Sequence, residues 1–273
     1  MSRTNFAQSP KETASAEALA SHSGNPDFVL SLARGLRVIE SFEGHQQGRS
    51  IHEISMSTGL SRASIRRILL TLELLGYVER HRQVYFLKTQ ILRLGFSYLS
   101  SSSVVEAARP ILERITEQLH ESSSMSMLDA GQIVYVARSA ASRVLAAGLS
   151  VGSRLPAYCT SMGRILLAAL PDPELAAYLH ELKPKAYTPK TITRLPQLKK
   201  VILQVRKDGF AIVDEELEAG LRSLAVPVAT RSGRVVASIN VGTHVSRVDY
   251  DALIGRCLPV LQEGAHALRN ILI

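Results

Sequence analysis

The 273-residue sequence predicts an α+β protein in two units: a small helical unit ending in a hairpin, then a larger one with helices packed on a sheet. Capped amphipathic segments crowd residues 29–76, and strand-like segments separated by turn residues recur between 124 and 241. The serine run at 100–103 is the one low-complexity stretch between them, and the main boundary is placed there. With 46% apolar and 21% charged residues the composition is globular. No apolar run approaches 18 residues and no basic-then-apolar leader opens the chain, so a cytoplasmic protein without membrane contact is expected. A net charge of +8 favours a polyanionic partner. The absence of Trp and an aromatic content of 5% argue against a protein that stacks single-stranded bases.

Residues 1–27, rich in Ser, Ala, Asn and Gln, read as a mobile tail. Leu32, Leu36, Ile39 and Phe42 then recur at helical spacing and give a first helix over about 29–43. Ser50-Ile51-His52-Glu53 is a capping box, in which the Ser50 hydroxyl accepts from the Glu53 amide and Glu53 reaches back. The short helix it starts turns Ile51, Ile54 and Met56 inward and stops at Gly59. Ser61 caps a third helix with Ile65, Ile68, Leu69, Leu72 and Leu75 on one face, closed by Gly76. Two helices joined by Thr58-Gly59-Leu60 match a helix-turn-helix. Ala63, Arg66 and Arg67 point away from the core face, and a small residue beside arginines suits a helix entering a DNA major groove. Residues 77–80 and 84–87 read as strands around His81-Arg82-Gln83, a wing with a basic tip. Leu70 and Leu74, on the outer side of the third helix, are expected to pack on the wing or a following helix. A plainly solvated basic face is the alternative. The cap, glycine turn, basic helix and basic-tipped hairpin in this order favour a winged helix-turn-helix over 28–88, with Ser61, Arg62, Ala63, Ser64, Arg66, Arg67, Arg80 and Arg82 at the double-stranded DNA.

Residues 89–103 form a linker helix in which Ile91, Leu92, Leu94, Phe96 and Leu99 spread over much of the circumference. Such a helix is expected to be buried, against a second copy of itself or against its own wing. Residues 104–273 begin with an amphipathic helix over 104–121, interrupted by Pro110. Residues 124–128 and 133–137 alternate around Asp129-Ala130-Gly131, a hairpin signal. Helices are predicted over 160–170, 172–182 and 195–208, and strands over 210–213, 224–229 and 235–241. Asp249 caps a last helix bent at Pro259.

Catalytic chemistry is poorly supplied. Cys159 and Cys257 cannot build a disulfide framework or a zinc site, and the eight histidines never pair with a carboxylate at ligand spacing. A phosphate loop and a nucleophile elbow are both missing from the sequence, so no metal and no cofactor is expected. Cys159, near a helix start, is placed for a lowered pKa but has no nearby base. Asp214-Glu215-Glu216 reads as a solvated or capping run rather than an acid–base pair. An enzyme using either is one rival reading, and a constitutive architectural DNA binder is another. The same helix start, Thr160 to Gly163, offers hydroxyls, free amides and a positive dipole end to a small carboxylate, against the plainer reading of an ordinary cap.

The order of elements resembles the IclR family of bacterial transcriptional regulators. The resemblance rests on Ala33-Arg34-Gly35-Leu36, on Gly59-Leu60-Ser61-Arg62-Ala63-Ser64 and on Leu74-Leu75-Gly76-Tyr77-Val78. Further along it rests on Gly152-Ser153-Arg154-Leu155-Pro156 with Ser161-Met162-Gly163-Arg164, and on Asp214-Glu215-Glu216 with Gly220-Leu221-Arg222. Arg164 replaces the lysine more common in the family. Within it, the chain is most similar to the PcaR/PcaU/PobR group, regulators of aromatic-acid breakdown through the β-ketoadipate pathway. The resemblance implies a GAF-like effector-binding domain over 104–273, with Val144, Ala147, Ser161, Met162, Val213, Leu221, Ser223, Asn240 and Gly242 at the pocket. It also implies a small aromatic or dicarboxylic acid as effector, a homodimer or dimer of dimers, and RNA polymerase as a partner if the output is activation.

Overall fold

The computed structural model describes residues 21–22, 24–45, 47–141 and 149–271. The chain divides between Ser97 and Tyr98 into two compact units. The first contains α1 (Leu30–Glu40), β1 (Arg49–Ser50), α2 (Ile51–Thr58), α3 (Arg62–Leu74), β2 (Val78–His81) and β3 (Val84–Leu87). Its ends form as local chemistry dictates. Glu53 accepts from the Ser50 amide at 2.7 Å while the Glu53 amide donates to the Ser50 hydroxyl at 3.3 Å. Gly59 ends α2 in the left-handed region, and the Ser61 hydroxyl caps α3 through the Ser64 amide at 3.2 Å. Val38, Phe42, Ile54, Ile65, Leu69, Leu72, Val78 and Tyr85 make the core. β1 adds a third strand to the wing, in the order β1-β3-β2. Arg49 anchors it by donating to the carbonyls of Ser41 and Glu53.

Several apolar positions lie elsewhere than the sequence predicts. The buried side of α1 runs through Val38 to Phe42, and Leu32 and Leu36 face solvent. Only the C-terminal end of α1 meets the core, so among the described residues the stripe Leu32–Leu36 is left outside it. Met56 is also exposed, because α2 meets the core through Ile54 and Thr58. Leu75, Leu70 and Leu74 are exposed rather than packed on the wing, Leu74 by 80%. After a 3-10 turn at Thr89–Ile91 comes α4 (Leu92–Ser101). Its Leu92 and Phe96 are 67% and 68% exposed, so the burial expected of this helix is not supplied by the described residues.

The second unit is a six-stranded antiparallel sheet with helices on both faces. In chain order it comprises α5 (Ser103–Leu119), β4 (Ser122–Asp129), β5 (Gln132–Ser139), β6 (Arg154–Pro156), α6 (Ser161–Ala168), α7 (Asp172–Glu181), α8 (Leu195–Asp208), β7 (Ala211–Asp214), β8 (Leu221–Ala229), β9 (Val235–His244) and α9 (Leu258–Ile271). The strand order is β6-β5-β4-β9-β8-β7. The β4–β5 hairpin turns through Ala130 and Gly131, both at positive φ, as a two-residue primed turn requires. Pro110 does not break α5. It is exposed, as is Glu106, whose carbonyl it leaves without an amide donor, so water can satisfy that group. The irregularity expected at Pro259 is a π turn at Leu253–Cys257, one turn earlier, where the missing amide would have bonded.

The two faces of the sheet differ in chemistry. Leu224, Val226, Ala237, Ile239, Val241 and Met125 point to α5 and α9 and form a continuous apolar core. On the other face, Ala211, Ala225 and Tyr135 meet Met162, Ile165 and Leu166 of α6. That second face also carries the polar residues considered next.

Candidate nucleic-acid interface and ligand pocket

In the first unit, Arg62, Ala63, Arg66 and Arg67 of α3 share an open groove with Arg80 of the wing and with Ser50, Ile51 and His52 at the start of α2. Gln83 and Tyr85 complete its lining, and its volume is about 820 Å³. Two arginines are oriented before any partner arrives. Arg62 lies 2.9 Å from Nδ1 of His52. Arg80 donates through Nε to the Arg82 carbonyl at 2.7 Å, and its guanidinium sits 5.8 Å from the centre of the Tyr85 ring. The structure thus gathers most of the sequence-predicted set. Ser61 and Ser64 belong to the cap of α3, and Arg82 sits at the wing tip with φ of 58°, outside the groove lining. His52 and Gln83 were not expected in this set: the sequence marks one only as part of the α2 capping box and the other only as part of the wing turn.

In the second unit, the register brings most of the sequence-predicted pocket residues onto one face. One row across the sheet runs Ser122, Gly242, Ser223 and Val213; the next runs Ser124, Asn240, Ala225 and Ala211. Leu221 is two residues before Ser223 on β8 and shares its face. α6 lies over β7, β8, β9 and β4, and places Ser161 and Met162 there. Val144 and Ala147 lie outside the described residues.

α6 can come so close because residue 163 is glycine. A Cβ there would overlap the carbonyl and Cα of Ala157. Thr160 caps the helix by accepting from the Gly163 amide at 3.2 Å, and the Arg164 amide is the first to bond within the helix, to the Thr160 carbonyl. The amides of Ser161 and Met162 precede it and therefore have no partner inside the helix. Three buried side-chain oxygens on this side also lack partners: Ser161 Oγ, Asn240 Oδ1 and Ser126 Oγ. An unsatisfied buried polar atom costs roughly 1–3 kcal/mol, so three on one side of the sheet are a concentration that its packing alone does not account for. Ser126 and Tyr135, paired across β4 and β5, were missed from the sequence because each sits in an ordinary strand alternation. Burial pushes the Tyr135 phenol up to about 12, which keeps it a neutral hydrogen-bonding group.

One rival reading loses its support here, and one expectation is corrected. Cys159 is completely buried, and burial, with Glu216 adding to it, pushes the thiol up to about 12, against the rival of a low-pKa nucleophile. Glu216 is not solvated either. It is buried against Arg164, whose Nη2 donates to its Oε2 at 2.7 Å. Asp214 and Glu215 stay nearer the surface. Bonds from Arg222 and Lys190 hold the Asp214 carboxyl below the usual range, and bonds from Lys190 and the Gly220 amide do the same for Glu215. No group of three metal-ligating side chains occurs among the described residues, and no helix among them is long and apolar enough to cross a membrane.

Comparison with known proteins agrees with this division. Residues 31–82 match the family described as the IclR helix-turn-helix domain, and residues 96–270 match the bacterial transcriptional regulator IclR C-terminal family. The chain is 47% identical over 247 residues to the Pca regulon regulatory protein of Pseudomonas putida, covering 90% of this chain and 85% of that one. It is 34% identical over 250 residues to the p-hydroxybenzoate hydroxylase transcriptional activator of Acinetobacter baylyi, covering 90% and 92%. A crystal structure described as a transcriptional regulator of Rhodococcus sp. RHA1 superposes with a TM-score of 0.81 at 47% identity, over 90% of this chain and 98% of that one. Both units of the chain thus fall within one family, and the chain belongs to the IclR family of bacterial transcriptional regulators.

Proposed function

We infer that this protein binds promoter DNA through α3 and the wing and answers to a small aromatic or dicarboxylic acid held between α6 and the sheet, regulating genes of aromatic-acid breakdown. The observation that carries the effector half is the pair of buried, unpartnered oxygens of Ser161 and Asn240 on the α6 side of the sheet, beside a helix start whose Ser161 and Met162 amides precede the first helical bond. The acid sits at the α6 start, and Met162, Val213 and Leu221 line its ring or chain beside Ser223 and Gly242. Arg62, Ala63, Arg66, Arg67 and Arg80 meet the major groove and backbone, with Ser61 and Ser64 at the phosphates and Arg82 at the wing tip. The family-group resemblance points to the protocatechuate, 4-hydroxybenzoate and β-ketoadipate branch as the source of the effector. The name of the Acinetobacter baylyi relative, a p-hydroxybenzoate hydroxylase transcriptional activator, supports 4-hydroxybenzoate chemistry and activation as the output. The working form is a cytoplasmic homodimer or dimer of dimers on a roughly palindromic site, contacting RNA polymerase when activating.

A thermal-shift screen of purified protein against the acids of that branch tests the effector half. A ligand at 100 times its Kd stabilises by about 2.7 kcal/mol, a rise of a few degrees in Tm for a chain of this size. At least one acid is expected to do so. A panel with no shift overturns the effector assignment, and an acid that releases operator DNA overturns activation in favour of repression.

A further inference from the structure

Beside the proposed effector site α6 carries an arginine that is already neutralised. Arg164 lies three residues after Ser161 on α6 and is 2% exposed. Its Nε donates to the Tyr158 carbonyl at 3.0 Å and its Nη2 to Glu216. Glu216 Oε2 also accepts from the Ile192 amide at 3.1 Å. Around this pair, two irregular segments are stitched together. Thr188 and Thr191 donate through their hydroxyls to the carbonyls of Glu215 and Glu216, and Lys190 reaches the carboxylates of Asp214 and Glu215. The turn so held connects β7 to β8, and therefore Val213 to Leu221. One ion pair thus joins the first turn of α6, the 185–192 strap and the turn between two pocket strands.

We propose that Arg164 and Glu216 are positioning residues of the effector site: their buried ion pair fixes the first turn of α6 against the 185–192 strap and the 214–220 turn, and it withholds the Arg164 charge from the ligand. The acid is then recognised by neutral donors, namely the Ser161 hydroxyl and the free amides. This rests on the effector-site reading above. Ion pairs of this kind often add little net stability, since desolvation offsets the attraction, but removing one partner leaves the other charge buried and exposed to whatever enters next. Removing the carboxylate frees a cation beside the pocket; removing the guanidinium leaves an anion there.

The test uses the full chain and two single variants, Glu216→Gln and Arg164→Met, with cooperative thermal unfolding as the check on folding. Hydrogen exchange of the amides of residues 161–164 is expected to speed up by about tenfold or more in both. Affinities for 4-hydroxybenzoate and for its neutral analogue 4-hydroxybenzamide are then compared. Glu216→Gln is expected to shift the acid-to-amide ratio about tenfold towards the acid, and Arg164→Met to shift it the other way. A purely structural pair would leave that ratio unmoved. If a single variant fails to fold, Arg164→Met combined with Glu216→Leu restores an uncharged interior, and fast exchange at 161–164 is expected to persist. Unchanged exchange in folded variants, or ratios that do not move in opposite directions, overturns the proposal. If the wild type binds neither probe while exchange responds as stated, the positioning role stands and the choice of effector class is what fails.

Discussion

Arg67, in the α3 groove, and Ser161, buried at the start of α6, each give a separable prediction. Arg67 lies in the α3 groove with no ion-pair partner among the described residues, free to meet phosphate or a guanine edge. Arg67→Ala is expected to weaken operator binding; a lost phosphate contact would also lower the slope of log affinity against log salt by about 1, and a base contact would relax specificity at one position. Fluorescence anisotropy over a salt series distinguishes these, and unchanged affinity throughout would remove Arg67 from the interface. Ser161→Ala removes one orphaned oxygen while leaving the Thr160 cap of α6 intact. The variant is expected to keep operator binding and lose roughly 1–3 kcal/mol of effector affinity, about 5-fold to 150-fold. An unaltered dose response in a reporter assay would reject the role of Ser161.

At the scale of elements, the clearest prediction concerns the start of α2. The backbone and side-chain bonds from Ser50 hold the Glu53 carboxyl below the usual range. Because its folded-state pKa is depressed, its contribution is present in full above the unfolded value, near 4.5, and is lost as pH falls through the folded one. Ser50→Ala is expected to cost about 1 kcal/mol at pH 7. The difference from wild type should shrink on acidification below about pH 4.5, as read from denaturant unfolding at several pH values. This element was legible because everything that makes it lies within four residues, and the same holds for the Ser61 cap and the Asp129 hairpin. The register of β8 and β9, which brings Ser223, Asn240 and Gly242 to one face, was not legible from spacing; those residues were reached through family resemblance. The Arg164–Glu216 pair, 52 residues apart, was illegible from either, since nothing local distinguishes a carboxylate that will be buried from one that will be solvated. The failure at Leu32, Leu36 and Met56 has a related cause. Helical periodicity reports that a stripe exists, not whether this chain or another covers it.

For the whole molecule, that last point becomes a prediction. Leu32 and Leu36 of α1, Leu70 and Leu74 of α3, and Leu92, Leu94 and Phe96 of α4 all face outward in the first unit. Solitary proteins rarely present so much apolar surface, and a homodimer or dimer of dimers would cover it. Sedimentation equilibrium is expected to show no monomer of 29.8 kDa at micromolar concentration. Leu92→Asp together with Phe96→Asp should release it, whereas a wild type that sediments as a monomer would sink the dimer. The two-faced sheet of the second unit has a different consequence, one that bears on descent. Substitutions under α5 and α9 strike a close-packed apolar interior and are felt as instability. On the α6 side the sheet presents Ser223, Ala225, Asn240 and Gly242 beside an apolar cluster, and with the effector held there as proposed, substitutions of those four would change what is admitted before they change whether the chain folds. A lineage carrying this sheet can therefore drift from one metabolite to the next on one face while purifying selection holds the other still.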